Sequence, residues 1–193
     1  MIKMSQEEKT KVIQRIPLWL AVAITVLISL PFGIFLGPYN LALWASFIAW
    51  AEYFVFGAKP EALKLIWTLY PLGALMGGAI FATFNNYFVW HLGWNMILSV
   101  ALWLFIWVAI MVYVMKYSQF FWKGSLAYFN GLSMYLAFYF VGLKAGQGAG
   151  PLTGNPLIDP WILWVWCSLA GIFGGFLGWL NIQLTFPKVV KES

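Results

Sequence analysis

Of the 193 residues in the chain, 63% are hydrophobic, 20% aromatic and only 9% charged. So few polar side chains cannot cover a water-soluble surface, and the composition therefore predicts an integral membrane protein. The net charge of +5 comes from cations at the ends of apolar segments, whereas a nucleic-acid partner would need a clustered basic face.

Six apolar segments follow one another, each near the roughly 20 residues that a helix needs to cross a bilayer. We therefore predict an all-α integral membrane protein with six transmembrane helices in a single domain, residues 1–193. A polar segment, 1–17, precedes the first helix and a short tail, 187–193, follows the last. The predicted helices occupy residues 18–36, 41–57, 62–84, 92–115, 122–143 and 159–186.

Prolines and glycines lie within and between these segments. Pro31 and Gly33 interrupt the first and Pro71 lies inside the third, so we expect both helices to be kinked or partly unwound. Residues 144–158 form the one long connection, and their glycines and prolines favour neither helix nor central strand. We expect either a flexible loop or a lid over an opening.

Lysine and arginine positions predict the orientation, because these residues gather in cytoplasmic loops. Ten of the eleven cations fall on one side of the predicted helices, and only Lys144 falls on the other. Both termini should therefore be cytoplasmic. The ten are Lys3, Lys9, Lys11, Arg15, Lys59, Lys64, Lys116, Lys123, Lys188 and Lys191.

A weak internal repeat relates the two halves of the chain. PLGALMGGAIFA at residues 71–82 is echoed by SLAGIFGGFLGW at 168–179, and YFVFG at 53–57 by FYFVG at 138–142. The alignment pairs a first three-helix unit, 18–84, with a second, 92–186. Because three spans is an odd number, the units would enter the membrane from opposite faces, which makes a 3+3 inverted repeat.

Each repeat unit carries a Gly-Gly pair, Gly77 with Gly78 and Gly174 with Gly175. Glycine pairs inside apolar helices are typical of close helix packing. Glycine would equally let backbone carbonyls face a pathway between the two units. Both interpretations stay open from the sequence.

Glu52 is the only formally charged side chain clearly inside a predicted span. A carboxylate in a membrane is costly, so it should be protonated, paired or hydrated. Asn130 and Tyr128 of the fifth span are candidate partners, and Lys64 or Lys123 could reach in from the interface. Glu52 could couple transport to protons or attract cations in an oligomer, or it could be a structural carboxyl.

Other polar residues of the fifth span, among them Ser133, could line a solute pathway or hold helices together. The deeper tryptophans Trp50, Trp67, Trp103 and Trp107 could face lipid, the core or a solute.

An enzyme is not expected, because the residues for catalysis are missing. The chain has one histidine, His91, predicted in a loop, one aspartate, Asp159, and one cysteine, Cys167, in an apolar helix. A serine nucleophile needs a nearby base, and zinc, iron or haem need converging ligands. We therefore expect no cofactor and no metal site.

Three segments resemble a known family: LWASFIAWAEYF at 43–54, FNGLSMYLAF at 129–138 and SLAGIFGGFLG at 168–178. They are similar to family 1097 of the domains of unknown function, small multi-span bacterial inner-membrane proteins. The resemblance implies fold class and location, and it carries no activity. The family pattern is small and apolar at the position of Glu52, so the resemblance implies no family-wide role for this carboxyl.

Two functions from different classes follow. The first is a channel or transporter in the inner membrane for a small neutral or weakly charged solute, with Glu52, Tyr128, Asn130, Ser133 and the four glycines near the pathway. Its partners would be the lipid bilayer, the solute and further copies of the chain, for example in a trimer. The second is a non-catalytic accessory or structural subunit of a larger membrane complex. A continuous polar path would favour the first, and a solid apolar core the second.

Overall fold

The computed structural model describes residues 10–142, 148–186 and 188–191, and their regular secondary structure is helical apart from two short strands. Helices α1 to α8 span Leu18–Ile34, Leu43–Val55, Pro60–Ala79, Asn86–Leu92, Met96–Met115, Gln119–Lys123, Ser125–Ala137 and Asp159–Thr185. Strands β1 and β2 are Thr10–Ile13 and Lys188–Lys191, and a 3-10 turn covers Gly37–Tyr39. Two π-helical segments, Ile80–Asn85 and Phe138–Gly142, extend α3 and α7.

Three helical stretches within the described residues are long and apolar enough to cross a membrane. They are Pro60–Leu92, Met96–Met115 and Asp159–Thr185. Leu18–Ile34 is apolar but shorter, at 17 residues. The predicted helical membrane architecture thus holds at this coarser level, while α2 and α7 have only 13 α-helical residues each.

The predicted C-terminal end of the third helix, residue 84, was wrong. Instead of stopping at residue 84, the chain continues through the π-helical segment Ile80–Asn85 into α4. Residues 80–92 contain neither glycine nor proline, so nothing stops the helix before Gly93, whose φ is 68°. His91 consequently lies in the last turn of α4, and its predicted place in a loop was wrong.

The first and fifth predicted helices also differ at their boundaries. Helix α1 ends at Ile34, three residues after Pro31, and the Phe32 carbonyl then accepts a bond from the Leu41 amide at 2.8 Å. Gly124 separates the short α6 from α7 as the C-cap of α6, and a Cβ at this position would meet the end of the Leu69 side chain. Residue 143, the predicted end of the fifth helix, lies outside the described residues.

Pro71 does not unwind α3, which remains α-helical on both sides of it. A proline inside a helix removes one amide hydrogen bond and tends to distort the helix. Here the same turn is held by a neighbouring helix, α8, whose Trp164 indole donates a hydrogen bond to the Pro71 carbonyl at 3.0 Å.

Glycines allow the central helices to approach each other closely. A side chain at Gly73 would overlap the Tyr128 carbonyl, and one at Gly131 would overlap the Tyr70 carbonyl, so α3 and α7 touch backbone to backbone. Gly174 brings α8 equally close to the Ser46 carbonyl of α2. Helices α3, α7 and α8 with α2 form the core, while α5 lies at the periphery with most of its surface exposed.

The two ends of the described chain meet in a ribbon. Strands β1 and β2 pair antiparallel, with Thr10 opposite Lys191 and Ile13 opposite Lys188. The Arg15 amide adds a bond to the Thr185 carbonyl at 2.9 Å. The segments predicted as polar tails thus contain a two-stranded ribbon at one end of α8, which we call the ribbon end.

Residues 148–158 lie at the opposite end of α8, which we call the loop end. Gly148 packs on Ala42, and Gly150 packs on Trp166. The Asp159 carboxylate accepts bonds from the amide and hydroxyl of Thr153 and from the Gly154 amide, at 2.7–2.9 Å. The first described residues of the predicted loop, 148–150, are therefore packed onto the helices, while residues 153–155 are exposed. Residues 144–147 lie outside the described residues.

Candidate functional site

The structure brings Glu52 and Asn130 together. Glu52 lies in the last turn of α2 and is 2% exposed. The Asn130 side-chain amide donates to Glu52 Oε1 at 2.6 Å, which is the partner that the sequence suggested. The other carboxyl oxygen, Oε2, is buried and has no hydrogen-bond partner among the described residues. Lys64 and Lys123, the alternative partners, are solvent-exposed.

The other predicted polar residues do not join this pair. Tyr128 is buried at the contact between α7 and α3, and its ring lies 5.3 Å from that of Phe121. Ser133 is exposed on the surface of α7. Among the fifth-span residues that were proposed to line a pathway, only Asn130 forms a hydrogen bond with Glu52 in the described part of the chain.

The four glycines of the repeat lie in a filled seam. Gly78 packs on Trp164 and Trp161, while Gly175 packs on Trp67. The seam is therefore closed by aromatic rings here, as expected of packing glycines.

The other glycine of each pair also packs against a helix of the other repeat unit. Gly77 packs against the Tyr135 ring, and Gly174 packs against the Ser46 carbonyl. No glycine of the four borders open space in the described part of the chain.

Two tryptophans tie α3 and α8 together across this seam. The Trp67 indole donates to the Ile172 carbonyl of α8, and the Trp164 indole donates to the Pro71 carbonyl of α3, both at 3.0 Å. Trp67 was among the deeper tryptophans whose environment the sequence left undecided. It faces the partner helix with part of its ring exposed.

A second buried polar group lies beside the seam and was missed by the sequence reasoning. The Tyr70 side chain is fully buried, and its hydroxyl lacks a hydrogen-bond partner among the described residues. The Cys167 thiol lies beside it, 3.9 Å from the Gly131 carbonyl oxygen. A tyrosine in an apolar aromatic-rich helix gives no signal in the sequence that separates it from its neighbours.

A small cavity of about 150 Å³ opens at the loop end. It lies where α4 leaves the π-helical segment and where residues 154–160 turn into α8. Two of its polar residues are Asn86, which is 3% exposed, and Asp159. The sequence reasoning noted Asp159 only as the start of the last span. The complete lining is Asn86, Trp90, Tyr139, Gly154, Pro156, Asp159, Pro160 and Leu163.

A metal centre finds no support in this geometry. Within residues 10–142, 148–186 and 188–191, no three His, Cys, Asp or Glu side chains converge. A groove on the surface, lined by Met96, Val100 and Phe140 among others, is almost wholly apolar.

Three apolar helical stretches in the described residues are long enough to cross a bilayer, as is typical of helical membrane proteins. A family model described as "Protein of unknown function (DUF1097)" matches residues 20–185. The chain therefore belongs to this family, and the resemblance seen in the sequence is confirmed. Comparison with curated proteins and with solved structures gave no match.

Proposed function

We propose that this protein is an inner-membrane channel or transporter for a small neutral or weakly charged solute, without catalytic activity. The observation that carries the proposal is Glu52, a buried carboxyl within the helix bundle with one oxygen unpaired among the described residues. An ionisable side chain at such a position is expensive and typically marks a solute or ion pathway.

The proposal includes six membrane crossings. Helix α2, at about 1.5 Å per residue, is shorter than the roughly 30 Å of hydrocarbon. The 3-10 turn Gly37–Tyr39 precedes it, and Gly57, with φ of 90°, follows it. Short spans with irregular ends are accommodated where neighbouring protein covers the backbone. Helix α7 gains length from the π-helical segment Phe138–Gly142.

The inverted repeat is supported by reciprocal contacts. Trp67 and Trp164 are 97 residues apart, as are Gly78 and Gly175. Gly78 packs on Trp164, and Gly175 packs on Trp67. A two-fold axis between α3 and α8 exchanges these two contacts, as expected when two units enter the membrane from opposite faces.

The contacts made by the other helices fit the same symmetry. The repeat alignment pairs α2 with α7, which are the second and fifth predicted spans. Helix α7 packs on α3 at Gly73, and α2 packs on α8 at Gly174. Each unit thus places its middle helix against the last helix of the other unit.

The ribbon supports the predicted orientation. It joins the residues before α1 to those after α8, which fits two termini on one side. The excess of lysine and arginine on that side favours the cytoplasm. We therefore propose that the ribbon end is cytoplasmic and that the loop end faces outward.

In this proposal the structure represents a closed state. Passage of a solute needs the seam between α3 and α8 to separate, because the tryptophan rings now fill it. Glu52 lies toward the cytoplasmic end and would meet the solute, or a proton, as the seam opens.

The alternative, an accessory subunit of a membrane complex, is favoured by the filled seam itself. An interior packed with aromatic rings needs no passage, and the exposed apolar surface of α5 would then contact partner helices. The same surface would serve a homo-oligomer such as a trimer, or lipid.

Flux through proteoliposomes tests the proposal. The full chain is reconstituted, and the permeation of urea, methylammonium and acetate is measured by light scattering against protein-free liposomes. We expect faster permeation of at least one solute, and at least a tenfold loss in Glu52→Gln. Glu61→Gln, which changes an exposed carboxyl in the first turn of α3, is the matched control and should keep full flux.

Two results would overturn the proposal. One is the absence of flux for all three solutes from folded protein. The other is an equal flux in the wild type and Glu52→Gln. The first result would favour the accessory subunit, and the second would show that Glu52 is not part of the pathway.

A further inference from the structure

The cavity at the loop end combines a carboxylate, a buried amide and aromatic rings in a small space. Its volume of about 150 Å³ is several times the roughly 30 Å³ that one water molecule occupies in the liquid. A solute of a few non-hydrogen atoms therefore fits, while a sugar or an amino acid with a large side chain does not.

The Asp159 carboxylate accepts three hydrogen bonds from Thr153 and Gly154. All three donors are neutral, so they orient the carboxylate without cancelling its charge. Two carboxylate oxygens offer about four lone-pair sites, which leaves acceptor capacity on a group that borders the cavity.

Asn86 supplies a second and independent observation. It begins α4 directly after the π-helical segment, and its side chain borders the cavity although it is 3% exposed. The side-chain amide makes no hydrogen bond to the described residues. A polar group at the cavity wall needs a hydrogen-bond partner, and either water or a polar solute in the cavity supplies one.

Trp90 and Tyr139 complete the polar and aromatic wall. Aromatic faces attract small cations, and the attraction increases as the cation is desolvated. Asp159 is the one charged residue among the described residues that line the cavity, and its carboxylate favours a cation over an anion.

We propose that this cavity is a binding site for a small ammonium-type cation, such as ammonium or methylammonium. Asp159 binds the charge, Asn86 accepts an N–H through its side-chain oxygen, and the rings of Trp90 and Tyr139 enclose the apolar part. The role of the site as the outer access site for the transported solute rests on the proposed function, whereas binding does not.

Isothermal titration of the purified full chain in detergent tests the site without any measurement of flux. Methylammonium chloride is titrated against a potassium chloride reference at equal ionic strength, with acetamide as a neutral probe of similar size. We expect saturable methylammonium binding and no saturable acetamide binding. Asn86→Leu and Asp159→Asn should each weaken methylammonium binding at least tenfold.

Asn181→Leu is the matched control, because it changes a buried amide that has no hydrogen-bond partner among the described residues and that lies near the other end of α8, away from the cavity. It should bind methylammonium within about twofold of the wild type. If Asp159→Asn does not fold, the comparison of Asn86→Leu with Asn181→Leu still decides.

The proposal is overturned by three results: no saturable methylammonium binding, equal binding in Asn86→Leu, or equal binding of acetamide. Flux that depends on Glu52 together with no binding here would reject this site and leave the proposed function standing. Binding here without flux would keep this site and reject the proposed function.

Discussion

Trp67 and Trp164 donate hydrogen bonds across the same helix pair in opposite directions. Each indole N–H meets a backbone carbonyl of the other helix at 3.0 Å, Trp67 at Ile172 and Trp164 at Pro71. The two residues are 97 positions apart, which is also the spacing of the two Gly-Gly pairs. The two donors are thus related by the repeat spacing, but their acceptors differ by one helical turn, because the repeat counterpart of Ile172 is Leu75 and the observed acceptor is Pro71.

Replacing either tryptophan by phenylalanine should destabilise the protein by a similar amount. Trp67→Phe and Trp164→Phe keep an aromatic ring and remove the N–H, which corresponds to about 1 kcal/mol for each lost hydrogen bond. The thermal midpoint in detergent should fall equally in both variants. Trp122→Phe, at an exposed ring, is the control and should leave the midpoint unchanged. A loss in only one variant would contradict the symmetry.

The glycines of the seam should differ in their tolerance of alanine. A Cβ at Gly174 would overlap the Ser46 carbonyl oxygen, and backbone cannot move aside cheaply. The nearest atom to a Cβ at Gly78 is Trp164 Cβ at 3.3 Å. We expect Gly174→Ala to cost about 1–3 kcal/mol or more and Gly78→Ala clearly less, by thermal unfolding in detergent. The reverse order would show that the α2–α8 contact is looser than described.

Glu52 and Asn130 should be energetically coupled. Asn130→Leu leaves the buried carboxyl without its donor, which costs about 1–3 kcal/mol. Glu52→Leu removes the acceptor, and the double variant removes both polar groups. We expect the double variant to be less destabilised than the sum of the single variants, by at least 0.5 kcal/mol, a small coupling on the usual scale. Additive effects in thermal or denaturant unfolding would mean that the 2.6 Å contact contributes little.

Much of the fold could be predicted from the apolar segments and from the residues at their ends. The start of α1 after Pro17 and the start of α8 at Asp159 follow directly from where the apolar segments begin. The pairing of Glu52 with Asn130 was among the predicted options, because a carboxyl within a span needs a partner and the fifth span offers an amide.

The rest depends on tertiary contacts. The contact of Gly124 with Leu69 of α3 joins residues far apart in the sequence, and no local rule predicts it. The cavity at the loop end joins Asn86 to Asp159, residues far apart in sequence with no shared motif. The Gly-Gly pairs predicted a close contact, but only the structure identifies Trp67 and Trp164 as the groups that fill it.

The ribbon predicts the location of the termini. A fluorescent protein fused after residue 193 should fluoresce in cells, because its chromophore matures in the cytoplasm, and alkaline phosphatase fused there should be inactive. A short epitope inserted after Asn155, in the exposed part of the loop, should instead be reached by antibody added outside spheroplasts. An inactive fluorescent fusion at normal expression, or an epitope reached only after lysis, would reverse the proposed orientation.

Transport requires the seam between α3 and α8 to open, and the accessibility of the Cys167 thiol measures this opening directly. It is the only cysteine in the chain, and its thiol is buried between α8, Tyr70 and the Gly131 carbonyl. A small water-soluble methanethiosulfonate reagent modifies only the thiolate, and forming the thiolate needs water at the site. The measurement is the modification rate in folded protein in proteoliposomes, by mass spectrometry, with denatured protein as the positive control and Cys167→Ala as the negative control. An opening seam predicts modification of the folded protein within minutes, whereas modification only after denaturation would contradict transport and favour a solid accessory subunit.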